Sequence, residues 1–565
     1  MNKLFYLIVG FIMSFPVLSQ SKLEIANLAN NKTATYQEFI GFLEEMASKH
    51  LFINLDTIGN TDAGMPIHLI QIEPRKSSLS KILINNNIHP GESDGIEATI
   101  RLLKNYSEEK LNRPAHTQIN IIACYNIGGM LNRNSTTRVN QNGPEAYGFR
   151  GNARNYDLNR DFVKADTKNA FAFYKIFHLV KPDIFIDNHV SNGADYQYTL
   201  THLFSQHNKL GGPLADYQEK KMIPYITKEL NKKGIPSTPY VNVYNAPPNN
   251  GFSQYLDTPR YSSGYTSLWH TLSFMIETHM LKNYEKRVMA TYETLIESIN
   301  FLDANYQTIK TKRRAQKDYW QKQELYPLHW KIDSTKITNF EFKGYKYTYE
   351  NSQVTGFKRL KYLNHQPDNF EIDYYNNYKS SKHVKLPKFY LVPQAWERVV
   401  ERLKANEVEL IKLKKDSLIE VTEVKIKDYK TLKNPYEGHY LHYHTKTEEN
   451  QNKLTFKKGD ILVDPKQSAI RYIVEVLEPE ATDSFFNWNF FDTILQRKEG
   501  FSPYVFEDLA YEILMKNSSL RKEFEILKSK DESFAKDPNA QLNWIYKTAE
   551  LQEKEYLRYP IFKIY

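Results

Sequence analysis

Cysteine is almost missing: Cys124 stands alone in 565 residues, so no disulfide can form within the chain. Its neighbours Ile121, Ile122, Ala123 and Tyr125 make it a small residue of a buried strand. Also missing, after residue 20, is any apolar run near the roughly 18 residues that a confident membrane span needs. A dense Lys/Arg block is missing too. The 75 Lys and Arg against 66 Asp and Glu give a formal charge of +9, thinly spread. With no recognisable nucleic-acid module beside it, that charge predicts no nucleic-acid partner. No internal repeat is visible. What is there suits a large folded protein held by cores or by metal: 41% hydrophobic residues, and 40 Tyr with 31 Phe for sheets and aromatic-lined clefts.

The strongest apolar run opens the chain. Lys3 gives a positive start, residues 4–17 are almost continuously apolar, and Leu18-Ser19-Gln20 offers a cleavage region before Ser21 and Lys22. Residues 1–20 read as an export signal, which predicts a periplasmic or secreted protein with no membrane span in its mature chain.

From residue 21 to about 325 the pattern is α/β. Residues 34–49 carry Tyr36, Phe39, Ile40, Phe42, Leu43 and Met46 at helical spacing. Strands are predicted at 67–72, at Ile82-Leu83-Ile84, at 119–125 and at Ile184-Phe185-Ile186, with helices at 93–105, 169–179 and 284–323. Such alternation predicts a parallel or mixed sheet covered on both faces, with the functional loops beyond the strand ends. Beyond 325 the runs become short and alternating, as in 337–342 and 419–426. Residues 326–565 are expected to form a β-rich accessory region of one or two subdomains, with helices near 393–405, 467–477 and 503–516.

Four pieces carry chemistry. His89-Pro90-Gly91-Glu92 follows a buried strand, and its i, i+3 spacing turns an imidazole and a carboxylate to one side, within reach of one metal. Without a metal, Glu92 reads as a helix-opening carboxylate favoured by the dipole. In Asp183-Ile184-Phe185-Ile186-Asp187-Asn188-His189 a buried strand runs into a histidine, a third ligand if the two strands are neighbours. Two His and one Glu leave zinc an open position; otherwise His189 is a strand-end histidine bonded into a loop. Glu277 ends the apolar run from Leu272, where a carboxylate needs a partner or a task as general base. Glu285 and Asp187 are the alternatives for that task. The polar run 152–161 contains Asn159 and Arg160, able to pair in fork fashion with a substrate carboxylate, while Arg138 can polarise a carbonyl. Read plainly, it is a solvated loop.

Taken in order, these pieces resemble the zinc carboxypeptidase family (the M14 peptidases) over about residues 30–300. They are His89-Pro90-Gly91-Glu92, then Tyr125-Asn126-Ile127-Gly128-Gly129 with Arg138, then Asp157-Leu158-Asn159-Arg160-Asp161, His189 and Glu277. The resemblance implies a mixed eight-stranded sheet with helices on both faces, in a catalytic domain over 21–325. It implies Zn²⁺ held by His89, Glu92 and His189, with Glu277 as general base and acid and Arg138 steadying an oxyanion. It further implies that Asn159 and Arg160 grip a terminal carboxylate and that Asp157 orients His89. Two departures accompany it. Asn126-Ile127-Gly128-Gly129 replaces the family's Asn-Pro-Asp-Gly, and the family's mobile tyrosine has two candidates, Tyr261 and Tyr265, on a shortened loop.

The expected activity is zinc-dependent removal of C-terminal residues from a peptide or protein. The alternatives are a zinc endopeptidase or amidase acting on cell-wall peptides or another acylated substrate, and a non-catalytic zinc-containing binding protein. The resemblance does not reach residues 325–565. There, alternation places His442 and His444 on one strand face near His439, but no nearby carboxylate or cysteine completes a metal set, so an ordinary strand is expected. Trp396, Trp488 and Phe491 are expected to be core or interdomain aromatics.

Overall fold

The computed structural model describes residues 30–565; the export signal expected at 1–20 lies outside the described residues. Eight strands form one mixed sheet: β1 (Ile53–Ile58), β2 (Ile67–Ile72), β3 (Ser80–Asn85), β4 (Thr117–Ile122), β5 (Ile184–Ser191), β6 (Leu200–Phe204), β7 (Ser237–Pro239) and β9 (Leu272–His279). A two-residue strand, β8 (Phe252–Ser253), belongs to another sheet. The order across the large sheet is β1-β2-β4-β3-β5-β9-β6-β7. Its four central strands, β4, β3, β5 and β9, are parallel neighbours, while β1, β2 and β4 pair antiparallel, as do β9 and β6.

Helices α1 (Tyr36–Lys49), α2 (Asp94–Ser107), α3 (Lys168–Val180) and α4 (Tyr284–Gln321) cover the sheet. Parallel strands buried on both faces need apolar residues at successive positions, and alternation divides them. Ile82, Ile84, Ile184 and Ile186 face the core shared with α1, α2 and α4; Leu83 and Phe185 face the core shared with α3. α1 begins with a capping box, in which Glu38 N donates to Thr35 Oγ1 at 3.3 Å and Thr35 N donates to Glu38 Oε2 at 2.8 Å. Cys124 is free and buried, and burial pushes its thiol up to about 12.

Two local expectations change. β5 continues past Ile186 to Ser191, because β9 pairs with it as far as Ser191 opposite His279. Glu92 opens no helix: α2 starts at Asp94, and a turn closed by Glu92 N donating to His89 O at 2.8 Å brings the two side chains together.

In the second half, β10 (Leu325–Ile332) pairs with β13 (Tyr378–Lys385), and β11 (Thr338–Asn351) pairs with β12 (Lys358–Tyr375), which also adds onto β8. A six-stranded sheet follows, made of β14 (Phe389–Val392), β15 (Ile411–Lys412), β16 (Ser417–Thr431), β17 (His442–Phe456), β18 (Ile461–Val463) and β19 (Arg558–Ile564). Helices α5 (Glu397–Ala405) and α6 (Ile470–Leu477) join it to the first half. Val399, Leu403, Tyr472, Ile473, Trp488 and Tyr559 lie in one apolar cluster with Leu83, Phe173 and Phe177. The composition changes near 325, but one of the two large apolar cores runs across that point while the other stays within the first half. Four short helices between Pro503 and Thr548 pack Phe506, Phe524, Phe534 and Leu542 into a small core of their own; the sequence pattern anticipates only the first of them. No helix among the described residues is long and apolar enough to cross a membrane.

Candidate metal centre and cleft

Topology brings the candidate ligands together. β3, β5 and β9 are parallel neighbours, so their C-terminal ends share one edge of the sheet, the position where open α/β sheets place their ligands. His89 follows β3, His189 lies near the end of β5, and Glu277 stands beside His189 in register on β9. All three face a cavity of about 550 Å³.

His89, Glu92 and His189 are buried, and one ligand atom from each lies within 4.8 Å of those of the other two. Each imidazole is backed by a carboxylate on its Nε2. His89 Nε2 stands 2.9 Å from Asp157 Oδ1, and His189 Nε2 stands 2.9 Å from Asp187 Oδ2. An ionised carboxylate only accepts, so these contacts put a proton on each Nε2 and turn each Nδ1 inward. His89 Nδ1 is buried 3.2 Å from Glu92 Oε1 without forming a well-aligned hydrogen bond. His189 Nδ1 lies 3.1 Å from Glu92 Oε2, which also accepts from Val190 N at 2.9 Å.

The local field favours positive charge. Burial opposes protonation of His189, yet Asp187, Glu92 and Glu277 outweigh it and hold its pKa well above the usual imidazole range. Burial likewise raises Glu92, but His89 and Arg138 overcome that and hold it well below the usual carboxylate range. An inward Nδ1 that forms no hydrogen bond, a second imidazole among carboxylates and a deprotonated Glu92 fit a divalent cation of zinc type.

Glu277 is the protonatable group of the set. Burial raises its pKa to about 7; Glu92 and Asp187 push in the same direction, and His189 opposes. Neither of the other two carboxylates considered for its place lines the cavity. Asp187 accepts from Ser262 Oγ and, at 3.2 Å, from Asn85 Nδ2 as well as facing His189, and Glu285 is exposed in the first turn of α4.

The segment 157–161 wraps the first ligand. Asp157 Oδ1 also accepts from Asn159 N at 2.9 Å, which points the next side chains along the cleft. Asn159 Oδ1 accepts from Ser262 N at 3.0 Å. Arg160 lines the cavity with its guanidinium over the Tyr261 ring, 4.6 Å from the centroid. Arg138 donates from Nη1 to Glu92 Oε1 at 2.8 Å and from Nη2 to Val190 O at 3.1 Å. Arg150, which the sequence pattern does not single out, also lines the cavity and donates from Nε to Asp157 Oδ2 at 3.0 Å.

The two candidate tyrosines separate. Tyr261 lines the cavity, where its hydroxyl accepts from Tyr255, a cavity residue absent from the sequence-based set. Tyr265 is 0% exposed, stacks on Tyr174 at 5.3 Å and donates to Asn406 Oδ1, so it belongs to the core and not to the cleft. Among the second-half residues, His442 and His444 do not share a strand face. His444 has a left-handed φ of 54° and is exposed, whereas His442 is buried and contacts Thr431 and Asp492. Trp488 and Phe491 are fully buried, and Trp396 packs against Phe491 at 4.8 Å.

No family model and no curated protein sequence matches the chain. Among solved structures it is similar to a metallo-carboxypeptidase from Burkholderia cenocepacia, at 16% identity over 49% of this chain and 71% of that one, with a TM-score of 0.37. A metallo-carboxypeptidase from Pseudomonas aeruginosa gives 14%, 50%, 71% and 0.37, and carboxypeptidase A from Helicoverpa armigera gives 13%, 49%, 75% and 0.36. These neighbours are metallo-carboxypeptidases, each matched over about half of this chain.

Proposed function

We propose that this protein is a zinc-dependent peptidase that removes residues from the C-terminus of a peptide or protein, in the periplasm or outside the cell. One observation supports the reading above the rest: two buried imidazoles, each backed by a carboxylate, converge with Glu92 beside a carboxylate whose pKa lies near 7. His89, Glu92 and His189 would hold zinc, which when bound would supply a Lewis acid for a water and a scissile carbonyl. Glu277 takes a proton from the attacking water and returns it to the leaving nitrogen; a pKa near neutrality suits both directions of transfer. Arg138, at the rim of the ligand set, steadies negative charge developing on the carbonyl oxygen. Arg160 receives the terminal carboxylate of the substrate, with Asn159 beside it, through charge-assisted hydrogen bonds.

The test is a pair of matched peptides, one with a free C-terminus and one amidated. Losing a charge-assisted contact of about 1.5–3 kcal/mol lowers kcat/KM on the amide by roughly 10- to 150-fold. Equal rates on the two peptides, or internal fragments as first products, would transfer the proposal to an endopeptidase or amidase.

A further inference from the structure

A turn from the β-rich half reaches the segment that carries Asn159 and Arg160 into the cleft. Tyr436 N donates to His439 O at 2.7 Å, and His439 N donates to Tyr436 O at 3.1 Å. The two residues between them, Glu437 and Gly438, have φ of 49° and 78°. Positive φ at both central positions is the mark of a type I′ hairpin turn. Glycine is at home there; a Cβ at 438 would lie 2.8 Å from the Tyr156 hydroxyl. A glutamate with positive φ is uncommon, and here its Oε2 accepts from the backbone N of Asp157 at 2.8 Å, directly beside the group that orients His89.

Tyr436 meets the other functional side chain of the same segment. Arg160 donates from Nε to the Tyr436 hydroxyl at 3.0 Å and from Nη1 to Asn159 O at 2.9 Å. Of the five N–H donors of a guanidinium, these contacts engage one on Nε and one on Nη1, and Tyr261 covers one face. Nη1 also lies 3.9 Å from Asp157 Oδ2, which leaves Nη2 for a ligand in the cleft. Tyr436 is itself fixed: its ring stacks on buried Trp488, with centroids 6.1 Å apart and planes at 19°. The guanidinium of Arg260 lies over both rings, at 5.7 and 5.0 Å, and is pinned to Asp483 at 2.6 Å.

We infer that Tyr436 is a positioning residue for substrate binding: it holds the Arg160 guanidinium in the orientation that receives a terminal carboxylate, so the β-rich half completes the substrate pocket of the first half. This rests on the carboxypeptidase reading, and one set of measurements separates the two. In the zinc-loaded full chain, Tyr436→Phe keeps the ring and its stacking and removes only the hydroxyl that accepts from Arg160. KM for the free-acid peptide should rise about five- to twentyfold, with kcat within about twofold of wild type. Bound zinc and the thermal midpoint should stay unchanged. In an Arg160→Lys background, the same change should add less than about twofold, because both act through one contact. Unchanged KM in Tyr436→Phe, a fall confined to kcat, or full additivity with Arg160→Lys overturns the inference while leaving the carboxypeptidase reading in place. Loss of zinc or of thermal stability in Tyr436→Phe also overturns it, by making Tyr436 a structural residue. Wild-type enzyme that treats free-acid and amidated peptides alike removes the reading, and the inference with it.

Discussion

His89 and His189 show how much a single side chain depends on its second neighbour. Each turns Nδ1 inward because a carboxylate occupies Nε2. His89→Ala or His189→Ala should therefore remove most bound zinc, as read by elemental analysis; full occupancy in both variants would end the assignment. Asp187→Asn is the finer test. An amide can turn either its oxygen or its NH₂ toward Nε2, so the orientation of His189 loosens, and zinc affinity should fall about 10- to 100-fold in competition with a chelator. Glu277→Gln keeps shape and zinc but cannot carry the proton, and kcat should drop by roughly 10²–10⁴-fold. Near-normal kcat in the zinc-loaded variant would place the base elsewhere. The ligands were legible as His and Glu at suggestive spacings. The role of Asp187 was legible in principle, since i and i+2 on a strand share a face with His189. Tyr255 and Arg150 carried no such local mark, because loops set their approach to the cleft.

At the scale of elements, apolar runs located most strands and helices of the first half, since burial on two faces demands them. The extension of β5 to Ser191 escaped notice because Asp187, Asn188 and Ser191 are polar; pairing with β9, not hydrophobicity, keeps them in strand form. β19 is a short strand far along the chain, yet it lies between β14 and β16 and contributes Tyr559 and Ile561 to the shared core. Ile561 is 1% exposed. Ile561→Ala should destabilise the full chain by about 2–5 kcal/mol, seen as an earlier midpoint in urea unfolding. A loss below about 1 kcal/mol would mean that this strand is not a structural centre of its sheet.

Across the whole molecule, the two halves share one of the two large cores, through Leu83, Phe173 and Phe177 on one side and Leu403, Tyr472 and Trp488 on the other. A chain ending at residue 325 would expose that face of α3 to water. It should aggregate or bind a hydrophobic dye, whereas the full chain runs as a discrete species on size exclusion; a soluble, dye-free, zinc-binding fragment would contradict this. Composition did mark a change near 325, but composition reports the type of secondary structure and not what covers it. The sequence by itself determined the chemistry on offer, namely the imidazoles, carboxylates and guanidinium groups, together with the alternation that builds a buried parallel sheet. Only the tertiary structure decided which of them meet. Asp157 backs His89 from 68 positions away, and Tyr436 grips Arg160 across 276. Local propensity cannot foresee such contacts, because they depend on how β-strand order and a shared core fold distant segments onto one edge of the sheet.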